Sequence, residues 1–278
     1  MDKAELYRRI AEETTRGELV FPTGAEMGLR IKRALDDPDC SADQAAKLIQ
    51  ADPLLAARVV AVANSVAYNR SGREISDLRQ AVARLGFNTL RSLTMSMIVR
   101  QMSGRAGQPP ELQRLSHQLW EHTAHVAALA HVIARRVTRK DPETALFAGI
   151  LHEVAGFYLI ARAQEYPELL DKETDGWQDA GEALVGAALL EVLEVPEAVA
   201  TAIGDMWQGY LAIPPTSLGD TLLLAEELAP VPSPLYWTPE QDAEAGTPRI
   251  EISLDEETLS SILAESADEV ASLIGALS

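Results

Sequence analysis

Cysteine, aromatic residues and late positive charge are all scarce in this 278-residue chain, and each scarcity excludes something. Cys40 is the only cysteine, so no disulfide can form within the chain and nothing marks it for an oxidising compartment. Aromatic residues make up 5% of a chain that is 47% hydrophobic, and the apolar content is carried by Ala, Leu and Val, which favours helices over a sandwich of strands. No stretch approaches 18 uncharged apolar residues, and the opening Met1-Asp2-Lys3-Ala4-Glu5 has no apolar signal core. The expectation is a soluble, cytoplasmic protein with no membrane partner. Histidine is also rationed: His117, His122, His125, His131 and His152 are the five, and nothing beyond position 152 supplies an imidazole.

Charge divides the chain in two. Residues 1–140 hold 21 Lys and Arg against 15 Asp and Glu, whereas only 3 basic residues face 27 acidic ones beyond, so the net −18 is a mildly basic first half joined to a strongly acidic second. The acidic half repels phosphate backbones, which argues against direct nucleic-acid binding by that half and favours basic partners. Solvated helix faces account for the same acidity without any partner.

Capping signals and 3.6-residue stripes recur, and strict alternation does not. Ser41-Ala42-Asp43-Gln44 has the form of a capping box opening a helix to Ile49. Asp52 before Pro53 sets a good N-cap ahead of the residue best suited to the first helical position. Leu54, Leu55, Arg58, Val59, Val62 and Ala63 then follow as one buried stripe. Asn64 and Ser65 end that helix, either by satisfying backbone groups or by lining a binding surface with Tyr68 beside the loop Asn69-Arg70-Ser71-Gly72-Arg73. Asp77 repeats the capping logic, Leu85-Gly86 supplies a stop, and Asn88 is placed to cap the next helix, which runs to about Met102.

Ser103 to Pro110, rich in Gly and Pro, is the clearest internal boundary. It predicts an all-α architecture of two packed helical lobes, 1–107 and 111–235, meeting through Leu54, Val59, Leu85 and Leu151, followed by a loop and C-terminal helix at 236–278. In the second lobe Leu112, Leu115, Leu119, Val126, Leu129, Ile133 and Val137 form a stripe on which His122 falls, while His117, His125 and His131 are expected at the surface or its boundary. Ile250-Glu251-Ile252 has the look of a short extended piece. Leu259, Ile262, Leu263, Val270 and Ile274 give the last helix an apolar side, for packing on the parent lobe or for docking and dimer formation.

One segment carries the strongest chemical hint: Ala148-Gly149-Ile150-Leu151-His152-Glu153-Val154-Ala155-Gly156. It begins like a zincin HExxH helix, but Gly156 stands where the second His must sit. It resembles instead the His-Asp segment of HD-superfamily phosphohydrolases, with Glu153 replacing the Asp and His122 matching the first ligand about 30 residues upstream. Where that superfamily usually has further histidines, this chain has Glu182 before Val185-Gly186, and Met206-Trp207. Of these replacements only the carboxylate suits a hard divalent ion.

Upstream, Asp52-Pro53-Leu54-Leu55, Ala63-Asn64-Ser65, Tyr68, Ile75, Gln80-Ala81-Val82 and Leu85-Gly86 resemble, in this order, the HDOD family over about Leu19 to Trp207. That resemblance implies an all-helical, non-catalytic output or scaffolding domain of bacterial signal transduction, acting on other signalling proteins, with Asp52, Pro53, Asn64, Ser65, Tyr68, Arg70 and Arg73 as candidate motif or contact residues. On this reading no cofactor and no metal are expected, His122, His152, Glu153 and Glu182 are vestigial ligands, and a homodimer is one form the contacts can take. The alternative is a reduced HD phosphohydrolase that holds one divalent ion with His122, His152, Glu153 and Glu182.

Overall fold

The computed structural model describes residues 3–16, 25–103, 108–170, 181–209, 211, 212, 214–235 and 256–277, and among these there is no strand. Among the described residues, twelve α-helices follow in order: α1 (Lys3–Thr15), α2 (Ala25–Asp36), α3 (Ala42–Gln50), α4 (Pro53–Asn64), α5 (Leu78–Ser103), α6 (Pro110–Ile133), α7 (Pro142–Leu151), α8 (Val154–Arg162), α9 (Glu182–Val192), α10 (Glu197–Gln208), α11 (Leu218–Glu227) and α12 (Glu256–Leu277). The extended piece expected at Ile250-Glu251-Ile252 lies outside the described residues.

The caps sit where the side-chain chemistry places them. The Ser41 hydroxyl accepts from the Gln44 amide while Gln44 accepts from the Ser41 amide. One Asp52 oxygen accepts from the amides of Leu54 and Leu55. Asp141 opens α7 by accepting from the Thr144 amide, and Ser217 with Asp220 forms a second capping box at α11. Gly86 stops one helical run and lets another start at once: at φ 74° it occupies a region costly for any other residue, and α5 kinks there. Asn88 caps nothing that is visible; its oxygen accepts from Arg91.

α6 lies along α7 at the centre, with α5, α8, α10 and α11 packed around this pair. The α7–α8 run from Pro142 to Arg162 is long and apolar enough to cross a membrane, but 89% of it is buried inside the fold as core. α2, α3 and α4 pack on α5, and α1 lies on α9, while the ion pair of Glu13 with the buried Arg162 ties α1 to the end of α8. α6 ends in one π-helical turn, Ala134–Thr138, closed by Arg139 in the left-handed region.

Two expectations about burial fail as well. Leu54 is 78% exposed and belongs to no interface: at the second helical position it faces away from the Leu55, Val59 and Val62 stripe. His131 is buried rather than peripheral, because α12 and α7 close over the face of α6 that carries it.

Candidate functional site

The His152-Glu153 pair forms a joint rather than part of a continuous helix. α7 ends at Leu151, His152 is its C-cap, and Glu153 at φ −102°, ψ 18° leads into α8. The joint turns both side chains into the core, where His152 is 1% and Glu153 0% exposed. His122 on α6 meets them, its Nε2 lying 3.2 Å from His152 Nε2. Glu226, near the end of α11, completes the group: its Oε2 is 3.2 Å from His122 Nε2 and 3.4 Å from His152 Nε2. Glu226 is the residue that sequence reasoning missed. An acid among the leucines of an amphipathic helix end has no local signature. Glu182, although buried, is not part of this convergence.

Backbone carbonyls orient both rings. His122 Nδ1 is 2.8 Å from Val231 O and His152 Nδ1 is 2.7 Å from Gly149 O. A carbonyl only accepts, so each Nδ1 carries its hydrogen and, in the neutral ring, each Nε2 presents a lone pair to the centre. Neither Glu226 contact is an aligned hydrogen bond, and its Oε2 has no hydrogen-bond partner, so these contacts attract only when a ring is protonated or an ion lies between them. Ligand atoms sharing an ion at about 2.0–2.1 Å stand roughly 3.0–3.4 Å apart. Two imidazoles and a carboxylate at the observed spacings therefore fit one divalent ion, which would cross-link α6, the α7–α8 joint and α11 and polarise any water it bound.

A proton satisfies the same cluster. Burial alone would lower the basicity of His122, but the Glu226 carboxylate outweighs it and the ring is pushed up to about 9. Burial likewise disfavours the Glu226 charge, and the two histidines reverse that and hold it well below the usual carboxylate range. Glu153 goes the other way: full burial pushes it up against the pull of both histidines. Its Oε1 accepts from Ser233 Oγ at 2.5 Å, and its Oε2 lies near Gly156. A Cβ at Gly156 would stand 2.5 Å from Leu235 Cδ1 and 2.9 Å from Glu153 Oε2, so the missing side chain is what lets the 231–235 segment close down. Val231, Ser233 and Leu235 thus seal the cluster from the chain's own side.

The motif residues of the first half serve a different place. The Asn64 amide clamps the turn that follows α4, donating to Ile75 O at 2.6 Å and accepting from Ile75 N at 2.8 Å. Ser65 caps α4, and its carbonyl accepts from the amides of Tyr68 and Asn69. Arg70 and Arg73 are exposed at the tip of that turn, while Asp52 and Pro53 open α4 away from it. Tyr68 points inward, its phenol donating to the Glu143 carboxylate of α7 at 2.8–2.9 Å.

Glu143 anchors a second buried histidine group. Thr89 Oγ1 donates to it at 2.6 Å and His131 Nε2 lies 3.4 Å away; burial raises Glu143, but these three partners together hold it below the usual range. The other ring nitrogen of His131 faces Glu269 Oε1 of α12 at 3.6 Å, and Arg135 donates to Glu269 Oε2 at 2.5 Å. Tyr68, α5, α6, α7 and α12 thereby meet in one polar network.

Comparison with known proteins places this arrangement. The chain is 27% identical over 194 residues to an uncharacterized protein of Treponema pallidum (strain Nichols); the match covers 63% of this chain but only 35% of that relative. Among solved structures, one from Shewanella amazonensis SB2B named "Putative metal-dependent phosphohydrolase" superposes with a TM-score of 0.71 at 19% identity, covering 99% of each chain. An HDOD domain protein of unknown function from Geobacter sulfurreducens superposes with a TM-score of 0.63 at 24% identity, again over 99% of each. At these identities the likeness is one of fold. The HDOD domain family model matches residues 21–208, two thirds of the sequence, and the chain belongs to that family.

Proposed function

We propose that this protein is a non-catalytic regulatory module of cytoplasmic bacterial signalling, working through contacts with other signalling proteins. The observation that supports it best is burial: His122 and His152 are 1% exposed, Glu153 is fully buried, Val231, Ser233 and Leu235 lie against the cluster, and only Glu226, with a quarter of its side chain exposed, reaches toward solvent. Phosphohydrolysis needs a metal-activated water and an open coordination position beside the substrate. The exposed arginines Arg70 and Arg73 on a turn pinned by Asn64 offer the contact chemistry that interfaces favour.

A second reading, a one-metal phosphohydrolase, draws on the convergence of His122, His152 and Glu226. One assay separates the two. Purified protein supplied with Mn²⁺ or Zn²⁺ is expected to hydrolyse neither phosphomonoesters nor cyclic nucleotides above buffer. Metal-dependent turnover that disappears in His152→Ala would overturn the proposal.

A further inference from the structure

α12 is a highly acidic helix on a basic seat. It carries Glu256, Glu257, Glu265, Asp268 and Glu269 and no lysine or arginine. Beneath it, the π-helical turn carries Arg135 and Arg136, the exposed Arg139 and Lys140 follow, and the chain then has only three more basic residues. Arg135 pairs with Glu269 and Arg136 with Glu265 at 3.2 Å, so two glutamates one turn apart meet two adjacent arginines. The wider turn is what brings neighbouring arginines to bear on an i, i+4 pair.

Among the described residues of α12, Leu273 and Leu277 are buried together with Ser266, and Ile262, Leu263 and Val270 are partly so. The helix packs on α4 and α6, and the Val66 amide donates to Ser272 Oγ at 3.0 Å. Yet the seat is poorly satisfied. Ser266 Oγ, Glu269 Oε1 and His131 Nδ1 are all buried without a hydrogen-bond partner. Glu153 Oε2 and Glu226 Oε2 of the sealed cluster are equally unpartnered, but the atoms of the seat lie beneath a single helix whose departure would return them to water.

We propose that the face formed by α6, its π-turn and the end of α4 is a receptor for an acidic amphipathic helix, that α12 occupies it within the chain, and that a partner's helix of the same chemistry displaces α12. The partner helix would present two acidic residues four apart beside an apolar stripe. This rests on the protein-contact function proposed above and names the surface and the partner's chemistry. Docking is wired to the family motif, because Glu269 faces His131, His131 faces Glu143, and Glu143 holds Tyr68 and Thr89. Recognition is of the helix-in-groove kind, with charge setting specificity.

The test uses the full chain and a labelled peptide of residues 256–277, read by fluorescence anisotropy. Wild-type chain should bind the peptide weakly, because its own α12 competes. A chain carrying Glu265→Lys and Glu269→Lys, whose α12 no longer fits, should bind the wild-type peptide at least tenfold more tightly. Adding Arg135→Glu and Arg136→Glu to that chain lets its own α12 seat again and should return peptide binding to the weak wild-type level, and a peptide carrying Glu265→Lys and Glu269→Lys should bind the Glu265→Lys, Glu269→Lys chain no better than that. As a check independent of charge variants, a Cys40→Ser chain with Val66→Cys and Ser272→Cys should lose peptide binding when oxidised and regain it on reduction. No binding to the lysine-substituted chain while its circular dichroism matches wild type, or binding indifferent to peptide charge, would overturn the proposal. The hydrolysis assay is blind to either outcome, so this receptor can fail while the non-catalytic function stands.

Discussion

Two buried histidine–glutamate groups, built from nearly the same side chains with their α6 histidines, His122 and His131, nine residues apart, are finished in opposite ways. At His122 and His152 the second ring nitrogen goes to a backbone carbonyl, the tautomer is fixed, and the group is closed by Val231, Ser233 and Leu235. At His131 both ring nitrogens face carboxylates, Glu143 on the core helix α7 and Glu269 on the terminal helix α12. A carbonyl partner makes an imidazole part of the scaffold. A carboxylate on a helix that can leave makes it part of a joint.

Removing one member from each group should separate them most sharply. His122→Ala strands the Glu226 carboxylate beside a single histidine in the core, a broken buried pair that is expected to cost about 3–5 kcal/mol in urea denaturation. Glu269→Ala should cost only about 1 kcal/mol, since α12 can swing its polar groups back into water. Equal losses would erase the distinction.

Proton linkage gives the next effect. His122 is raised to about 9 in the folded protein, so its contribution is complete below the unfolded imidazole value near 6.5 and is lost as pH climbs through 9. Glu226 is depressed, so its share is present above the ordinary carboxylate range and disappears on acidification. The two shifts describe one interaction, worth on the order of 3 kcal/mol. Metal-free protein should therefore show a stability plateau between about pH 5 and pH 7 and an alkaline decline in denaturation midpoints. Saturating Zn²⁺ should remove that decline, because the ion then takes the place of the proton. A midpoint that stays flat from pH 7 to pH 10 without metal would contradict this.

Asn64→Ala is expected to cost about 1–2 kcal/mol by freeing the Ile75 backbone groups, and Arg70→Ala with Arg73→Ala about 0.5 kcal/mol or less, as exposed side chains do. Thermal melts check both. An unchanged melting temperature for Asn64→Ala would show that the turn is held by something other than that clamp.

Local chemistry was legible in the sequence and long-range convergence was not. The Ser41–Gln44 box, the Asp52–Pro53 start and the Gly86 break are decided within four residues, and the structure follows them. Leu54 was misread because hydrophobic spacing does not say which side of the first turn meets the core. His131 was misread because its burial depends on α12, more than a hundred residues away. The His122–His152 meeting came from the family resemblance, and Glu226 came from neither source, since only the packing of α11 against α6 delivers it.

Native-state hydrogen exchange of the full chain tests the contrast between a permanent and a releasable group most directly. The account predicts that α12 amides around Ser266 to Leu273 exchange through a local opening at least tenfold faster than those of α6, α7 and α11 around His122, His152 and Glu226, which should exchange only with global unfolding. Equal protection of α12 and α11, with the same denaturant dependence, would contradict it.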